Sequence, residues 1–544
     1  MSDAWIERDR VRIASTHVRA SNFCEEASPS DVDNLRTWRK THFNLPRTVM
    51  ALVAPLRLPA RALRAGISCR GGSGARRARR AAAPAQTRHR ATADGSVAPG
   101  EDATAASSTA TAADAPPTPK PPHVDGRRSY SDVPTGLEDS PTRRLVTEEQ
   151  LASFRASIAD ELLLAPLTKG GNLPFRRLCV DFGCNVTVSE MVFARFLLRR
   201  NPVEKARLRR HRSEKLFGVQ LATNQIVEGV NAAALAAEAG ADFIDLNCGC
   251  PIHETWKRGL GAALLKKPKK LERLVRGIAD GTRLPLTVKI RLGSGGSEAP
   301  ARQLAEAVEN AGAAAVIIHG RTKEQRYTRA ANWDLIGEIQ RERGIPVVGN
   351  GDILTHYEHR DRLARSGAHA AMTGRGALIK PWIFKEVAEG VEWAPTPEER
   401  VEVYLRLCSY FKEHFFTDDI GRGRYLEFMP WHFGFFCRYR PLPEDTYGAM
   451  ASEHPLLQTR LGIVAAAEQA SGADLPRMER LLRCESEEAH VRLSEALWDA
   501  DGSLDKALEL FETIANDGSL ERWEAEAAAS DRDNGMGGGD AIRG

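Results

Sequence analysis

Short apolar runs alternate with amphipathic stretches from Glu161 onward, and this alternation predicts most of the fold. The runs that read as buried strands occupy 161–167, 186–190, 216–222, 243–247, 286–292, 315–320, 346–350 and 370–374. Stretches with helical periodicity lie between most of them, at 225–239, 262–280, 299–311 and 355–366. Eight strands that alternate with helices predict the α/β class and, within it, a parallel (β/α)8 TIM barrel.

A doubly wound parallel sheet is the alternative to the barrel, but such a sheet usually has fewer strands. It also carries a glycine fingerprint directly after a strand. Here Gly259-Leu-Gly261 follows its strand only after a full loop, and the third glycine of the fingerprint is missing. The barrel is therefore the favoured prediction for residues 160–390, which we expect to form the catalytic domain.

The segments on either side of the predicted barrel differ from it in composition. Residues 1–93 form a basic, Arg/Ala-rich extension with no Asp or Glu from Asn34 to Ala93, as in organellar transit peptides. Met50 begins a stretch that resembles an import signal more than Met1 does, which favours an internal start. The alternative is a disordered basic arm that holds RNA. The compartment follows from this choice: chloroplast or mitochondrion with a transit peptide, cytoplasm or nucleus without one.

Three further segments complete the predicted organisation. Residues 94–159, rich in Ala, Thr, Pro and Ser, are expected to form a disordered linker because they cannot bury a core. Residues 391–525 have helical periodicity without strands, with frequent aromatic residues up to Phe436, and predict an all-α C-terminal domain. Residues 526–544 are expected to be a disordered tail.

Charge is nearly balanced along the whole chain but clustered locally. The 76 Lys and Arg residues against 72 Asp and Glu give a formal net charge of only +4. Residues 195–215, however, contain nine Lys or Arg and two Glu, and 257–276 contain eight and one. Neighbouring basic runs favour a polyanionic partner such as RNA, although two solvated helix faces would look the same.

Cysteine usage and hydropathy indicate the kind of cellular environment in which the chain functions. The nine cysteines are scattered without regular spacing, which favours a reducing compartment over a disulfide framework. No stretch is long and apolar enough to predict a membrane span. The sequence does not determine the oligomeric state, and a monomer is the simplest expectation.

Polar residues occur where most of the predicted strands end, which is where a TIM barrel places its active site. The strand ends are Ala165-Pro-Leu-Thr168, Gln220, Lys289-Ile-Arg291, His319-Gly-Arg321, Asn350-Gly-Asp352 and Thr373-Gly-Arg375. The last two combine glycines with an arginine and predict a phosphate site. The alternative to an active-site role is a structural or Schiff-base lysine for Lys289 and a structural polar residue for His319.

The fourth strand ends in Asn247-Cys-Gly-Cys-Pro251, the most reactive segment of the chain. Gly249 and Pro251 bracket Cys250 in a turn, which aims the thiol outward. Such a thiol can donate a proton, attack a carbon or bind a metal. Cys248, Cys250 and His253 could be read as metal ligands, but they are crowded on one tight loop, and a closed zinc site needs a fourth ligand. We therefore expect no metal here, and we expect Cys248 to pack on the other side of the strand end.

Taken together, these segments resemble the flavin-dependent tRNA-dihydrouridine synthases over about 160–440. The His319-to-Tyr327 stretch in particular is similar to the eukaryotic branch that acts on the variable-loop uridine, position 47 of tRNA. The motifs that carry the resemblance are Leu164-Ala-Pro-Leu-Thr168, Pro174-Phe-Arg176, Cys179-Val-Asp-Phe-Gly183, Phe217-Gly-Val-Gln220, Asn247-Cys-Gly-Cys-Pro251, Leu286-Thr-Val-Lys-Ile-Arg291, His319-Gly-Arg-Thr-Lys-Glu-Gln-Arg-Tyr327, Gly349-Asn-Gly-Asp-Ile353, Gly374-Arg-Gly376 and Lys380-Pro-Trp-Ile-Phe384.

The resemblance implies an FMN cofactor, NADPH as electron donor and tRNA as substrate, with messenger RNA left open. It implies that hydride passes from FMN to C6 of a uracil and that Cys250 protonates C5. Asn247, Arg291 and Arg321 match positions near the base. The residues that would hold FMN are Pro166, Leu167, Thr168, Gln220, Lys289, His319, Asn350, Gly351, Asp352, Gly374 and Arg375.

Cationic surroundings lower the pKa of a thiol, whereas a thiol that donates a proton must be protonated. We therefore expect Cys250 to lie away from the arginines, in a partly apolar loop.

One departure from the family changes the expectation about RNA binding. Members of this branch usually carry Cys/His zinc fingers before the barrel, but residues 1–160 contain only Cys24 and Cys69. RNA recruitment is then expected to rest on the basic runs and the C-terminal helices. Two other functions stay open: an FMN barrel that reduces a small pyrimidine, as dihydroorotate-type oxidoreductases do, and an RNA-binding protein without catalysis.

Overall fold

In a computed structural model of the chain, the described residues are 145–458 and 475–534, with side chains described as far as 527. The predicted N-terminal extension, most of the predicted linker and the last ten residues lie outside this part. Of the described helices, none is both long and apolar enough to cross a membrane.

Nine parallel strands form the centre of the part of the chain that the structure describes. They are β1 (Leu162–Leu164), β2 (Val186–Val188), β3 (Val192–Phe193), β4 (Leu216–Ala222), β5 (Phe243–Cys248), β6 (Leu286–Arg291), β7 (Ala315–His319), β8 (Val347–Asn350) and β9 (Ala370–Thr373). Their order in the sheet is β1-β9-β8-β7-β6-β5-β4-β2, with the short β3 paired to β4. Because β1 and β2 lie side by side at the two ends of this order, the sheet forms a nearly closed barrel. The predicted TIM barrel is confirmed.

Helices surround the strands and continue beyond them. Those of the barrel region are α1 (Glu148–Ser157), α2 (Leu173–Asp181), α3 (Ala194–Leu198), α4 (Pro202–Ala206), α5 (Ile226–Glu238), α6 (His253–Lys257), α7 (Pro268–Gly281), α8 (Ala301–Asn310), α9 (Trp333–Glu342), α10 (His356–Ser366), α11 (Arg375–Ile379) and α12 (Ile383–Glu389). The C-terminal ones are α13 (Pro397–Phe415), α14 (Asp419–Phe436), α15 (Glu444–Glu453), α16 (Arg477–Leu482), α17 (Glu487–Asp499), α18 (Leu504–Asn516) and α19 (Ser519–Asn534).

Side chains alternate between two cores along each strand, because successive residues of a strand point to opposite faces. Phe243 packs inside the barrel with Leu163, Ile317 and Met372. Residues one position on, such as Ile244, face the surrounding helices in the second core. In β5 this parity puts Asp245 and Asn247 on the inner face and Cys248 on the outer one.

The C-terminal helices pack through aromatic side chains. Tyr404 of α13 stacks on Phe436 of α14 with ring centroids 4.4 Å apart, and Tyr425 lies 4.9 Å from Trp498 of α17. Helix α17 lies against α14, and α18 against α13. The all-α C-terminal region is therefore confirmed as a helical assembly without strands among its described residues.

Two ordered segments correct the predicted organisation. Residues 148–157, placed in the disordered linker, form α1, which begins with a capping box at Thr147. Its Leu151 and Phe154 are buried in the inner core, with Phe154 5.2 Å from Phe243. The linker prediction is wrong here because the apolar surface that α1 buries lies on the barrel, far along the chain. Likewise, α19 continues through Asn534 into the predicted tail.

Candidate active site

A ladder of hydrogen bonds runs from the barrel centre to the loop after β5. Gln220 Nε2 donates to Asp245 Oδ2 at 2.6 Å, and Asn247 Nδ2 donates to Gln220 Oε1 at 2.7 Å. The backbone N–H of Cys250 donates to Asn247 Oδ1 at 3.0 Å. All three polar side chains are buried. The ladder holds the Cys250 loop against the ends of β4 and β5.

Cys250 differs from the other described cysteines in its exposure. The free cysteines at 179, 184, 248, 408, 437 and 484 are buried, whereas Cys250 is half-buried. Its Sγ lies 3.6 Å from the Thr255 hydroxyl. Cys248 is fully buried among apolar side chains, and burial raises the pKa of its thiol well above the usual range. The geometry therefore offers one thiol to a ligand at the barrel mouth.

Arg291 corrects one expectation about that thiol. Its Nε donates to the carbonyl of Gly249 at 2.8 Å, and its Nη1 donates to Thr322 O at 3.0 Å. Burial lowers the pKa of Arg291, while Tyr327 and Cys250 lie near enough to act in the opposite direction. Cys250 is thus adjacent to an arginine, because strand pairing aligns Asn247 with Lys289 and Cys248 with Ile290.

Lys289 is half-buried at the barrel mouth, on the strand beside the ladder, where it pairs in register with Asn247. Its Nζ donates to Asn350 Oδ1 at 2.6 Å, and Asn350 Nδ2 donates to Met372 O at 2.8 Å. Burial lowers the pKa of Lys289 to about 8, with Asp245 acting in the opposite direction. The lysine therefore carries its positive charge at neutral pH and loses it within the alkaline range.

A buried ion cluster lies below the ends of β7, β8 and β9. Arg321 Nη2 donates to both carboxylate oxygens of Asp352, at 2.8 and 2.6 Å, and Arg375 Nη2 donates to Oδ1 at 3.1 Å. Arg375 Cζ also lies 3.9 Å from the centre of the Tyr327 ring. Arg321 is fully buried, and its guanidinium braces Asp352.

His319 completes this side of the mouth. Its Nε2 lies 3.2 Å from Arg321 Nη1. Burial, together with the neighbouring cations at 291, 289, 321 and 375, lowers the pKa of His319 well below the usual value. A neutral imidazole at this position can accept a hydrogen bond from Arg321 and still present a ring nitrogen to a ligand.

The loops after β1, β8 and β9 meet at the same end of the barrel. Pro166 and Leu167 are half-buried and Thr168 is exposed. Gly351 has a φ of +129°, which disfavours a side chain there, and a Cβ on Gly376 would lie 2.1 Å from the Ile353 carbonyl oxygen. Close backbone packing of this kind is what a loop needs to bring its N–H groups against a phosphate.

The structure brings every predicted site residue to one end of the barrel, and it adds three that were not singled out. Asp245 anchors the ladder, Thr255 contacts the Cys250 thiol, and Tyr327 stacks under Arg375. The signal for Asp245 was present, since an acidic residue two positions before Asn247 must share its inner face. Within residues 145–458 and 475–527, no group of three potential metal ligands occurs.

The barrel region of the chain is similar in sequence to known proteins. Residues 163–423 match the model of the dihydrouridine synthase family. The chain is 38% identical over 316 residues to a tRNA-dihydrouridine(47) synthase [NAD(P)(+)]-like protein of Xenopus tropicalis, covering 56% of this chain and 49% of the relative. It is 40% identical over 291 residues to the human protein of that name, covering 53% and 44%. A tRNA-dihydrouridine(47) synthase [NAD(P)(+)] of Coprinopsis cinerea is 38% identical over 294 residues, covering 51% and 44%. The chain thus spans about half the length of the relatives it matches.

Proposed function

Because residues 163–423 belong to the dihydrouridine synthase family, we propose that the chain is a flavin-dependent oxidoreductase that reduces uridine in tRNA to dihydrouridine. The observation that carries the proposal is the half-exposed Cys250, held by the ladder at the carboxyl end of β5. The names of the relatives, which specify tRNA-dihydrouridine(47), support tRNA as the substrate and position 47 as the target.

Hydrogen-bond donors and a glycine at the barrel mouth support the assignment of an FMN site there. Gln220 and Lys289 each retain N–H groups beyond those used within the protein, which suits the carbonyl and nitrogen acceptors of a flavin ring. A Cβ on Gly374 would come within 3.2 Å of Leu167, so glycine keeps the space between the first and last strands open. We assign to FMN the residues Pro166, Leu167, Thr168, Gln220, Lys289, His319, Asn350, Gly351, Asp352, Gly374 and Arg375.

Bound FMN, once reduced by NADPH, would supply the hydride needed at C6 of the uracil. Cys250 holds a proton at Sγ and delivers it to C5, so that the C5=C6 bond becomes a single bond. Asn247 keeps one amide N–H beyond the ladder, and Arg291 keeps N–H groups beyond its two carbonyl partners. We assign these two to orientation of the base.

Arg321 was also predicted near the base. Its full burial favours an indirect role, in which it fixes Asp352 and the His319 ring.

The uracil must leave its stack in the tRNA before it can meet Cys250. A basic surface next to Cys250 is suited to hold the tRNA phosphates while the base is unstacked. Helix α6 follows the Cys250 loop directly, and Lys257, Arg258, Lys266, Lys267, Lys269 and Lys270 around it are exposed. Phosphate contacts of this kind give binding that falls steeply with salt concentration. The energy needed to flip the base out of its stack is a few kcal/mol, which the phosphate contacts can supply.

The proposal is tested by comparing Cys250→Ala with Cys248→Val in the purified full chain. Cys250→Ala should retain flavin absorbance and flavin reduction by NADPH while losing dihydrouridine formation, because only the proton donor is removed. Cys248→Val should keep all three, since its side chain packs in the outer core. Dihydrouridine formation that survives Cys250→Ala would refute the acid role, and loss of flavin would make the thiol structural.

The alternative functions give different results in the same assay. A dihydroorotate-type enzyme would oxidise NADPH with a free pyrimidine and gain nothing from tRNA. A non-catalytic RNA-binding protein would purify without flavin absorbance.

A further inference from the structure

We propose that Asp245 is a positioning residue that sets the orientation of the Cys250 loop through the side chains of Gln220 and Asn247. This proposal rests on the proposed function for its catalytic meaning. Its structural part concerns only residues of this chain and can be tested without cofactor or RNA.

The chemistry of the four groups allows one direction of hydrogen bonding. A carboxylate can only accept, so the NH2 group of Gln220 must face Asp245. The Gln220 oxygen then faces Asn247 and can only accept a hydrogen bond from the Asn247 NH2 group. The Asn247 oxygen is left to face the backbone N–H of Cys250. A single acceptor at the barrel centre thus determines which way both amides point.

Asp245 is itself held so that it can serve as this fixed point. The Thr287 hydroxyl donates to its Oδ1 at 2.8 Å, while Gln220 occupies Oδ2. The carboxyl is fully buried, and burial raises its pKa while the donors at 220 and 287 and the nearby Lys289 act in the opposite direction. An apolar residue would fill this interior position without the cost of burying a polar group. The carboxylate is therefore explained by what it orients.

Reversal of the ladder would have a specific consequence at Cys250. If Gln220 turned its oxygen inward, Asn247 would have to turn its NH2 group toward the Cys250 N–H. Two donors would then face each other, and the loop would lose its anchor. Since the Cys250 thiol must meet C5 of the base, a displaced loop would lower the rate of protonation without removing the acid.

The test is hydrogen exchange at the backbone amide of Cys250 in the full chain. Asp245→Leu removes the acceptor while keeping the number and branching of the side-chain heavy atoms. It should raise the exchange rate of this amide about fivefold, the factor that corresponds to loss of a hydrogen bond of about 1 kcal/mol. Asp245→Asn should stay near the wild type, because its carbonyl can still face Gln220 while its NH2 group faces the Thr287 hydroxyl. Normal exchange in Asp245→Asn beside raised exchange in Asp245→Leu would show that the Cys250 loop depends on the acceptor oxygen at position 245 and not on its negative charge.

Ser189→Ala provides the matched control. The Ser189 hydroxyl is buried and accepts from the backbone N–H of Gln220 at 3.1 Å, so its loss disturbs the same residue outside the ladder. This variant should lower stability and leave exchange at Cys250 unchanged. Exchange at the Ile244 and Leu246 amides reports whether β5 stays folded.

A second variant keeps the test decisive if Asp245→Leu fails to fold. Gln220→Met breaks the ladder one step later and should also raise exchange at Cys250. Unchanged exchange there in either folded variant overturns the proposal. Raised exchange in a chain that makes no dihydrouridine would leave the ladder standing and refute only the proposed function.

The catalytic consequence is measured separately, at saturating FMN. Asp245→Leu should slow dihydrouridine formation much more than flavin reduction by NADPH, and Asp245→Asn should restore it. Equal slowing of both steps would contradict a role in placing Cys250.

Discussion

Replacing Asp352 by Asn removes the one carboxylate that lies between two guanidinium groups beneath the barrel mouth. Asp352 is 3% exposed, and its Arg321 partner is 0% exposed. The carboxylate accepts from Arg321 twice, from Arg375 once and from the Ala331 backbone N–H at 2.8 Å. Its φ is +54°, a region that Asn tolerates as well as Asp, so the substitution changes charge while sparing the backbone.

The structure indicates a large effect for this change. Removal of one partner from a buried ion pair costs about 3–5 kcal/mol, because the remaining charge is left buried and uncompensated. Since Asn retains one acceptor oxygen, we expect a loss near the lower end, about 3 kcal/mol. The urea midpoint, followed by circular dichroism, should fall accordingly, and the flavin should be lost at lower urea than in the wild type.

An exposed ion pair supplies the control for this prediction. Glu272 accepts from Arg276 at 2.6 Å on the surface of α7, with side-chain exposures of 30% and 52%. Exposed pairs contribute at most about 1 kcal/mol, so Glu272→Gln should barely move the midpoint. If Asp352→Asn costs no more than Glu272→Gln, the ion cluster does not organise this end of the barrel.

Further predictions concern packing and titration. Gly376→Ala should disrupt the start of α11 or abolish flavin binding, because its Cβ would lie 2.1 Å from the Ile353 carbonyl oxygen. Gly434→Ala in α14 has open space and should raise stability by up to about 1 kcal/mol in thermal unfolding. Burial raises the pKa of Glu358 to about 7, so the folded state binds the proton more tightly than the unfolded state. This contribution to stability is present at low pH and is lost as the pH rises through 7. Because Gln stays uncharged, the melting temperature of the wild type minus that of Glu358→Gln should fall from pH 5 to pH 8, and an unchanged difference would contradict this. With a Lys289 pKa of about 8, FMN affinity measured by fluorescence should fall from pH 7 to pH 9, and Lys289→Met should remove that dependence.

The barrel could be predicted because its signal is local. Each buried strand is a short apolar run, and each run is followed by a stretch with helical periodicity, so eight units are visible without any tertiary information. The polar strand ends were predictable for the same reason, since a barrel gathers the carboxyl ends of its strands at one face. Cys248 and Cys250 could be told apart by strand parity and turn chemistry, and their burial agrees with that prediction.

What escaped prediction depends on pairing between distant segments. Asp245 looks like one polar residue in an apolar run until β4 and β6 bring Gln220 and Thr287 beside it. Arg291 reaches Gly249 only because β5 and β6 pair in the observed register. Helix α1 has few apolar residues of its own, and its burial depends on the interior of a barrel that begins after it. The local sequence pattern around each of these residues does not indicate these contacts.

The central claim is tested most directly by incubating tRNA with the purified full chain, FMN and NADPH, and then locating dihydrouridine by mass spectrometry of RNA fragments. We expect dihydrouridine at the variable-loop uridine, with NADPH oxidised in proportion, and none formed by Cys250→Ala. Unmodified tRNA combined with rapid reduction of a free pyrimidine would contradict it.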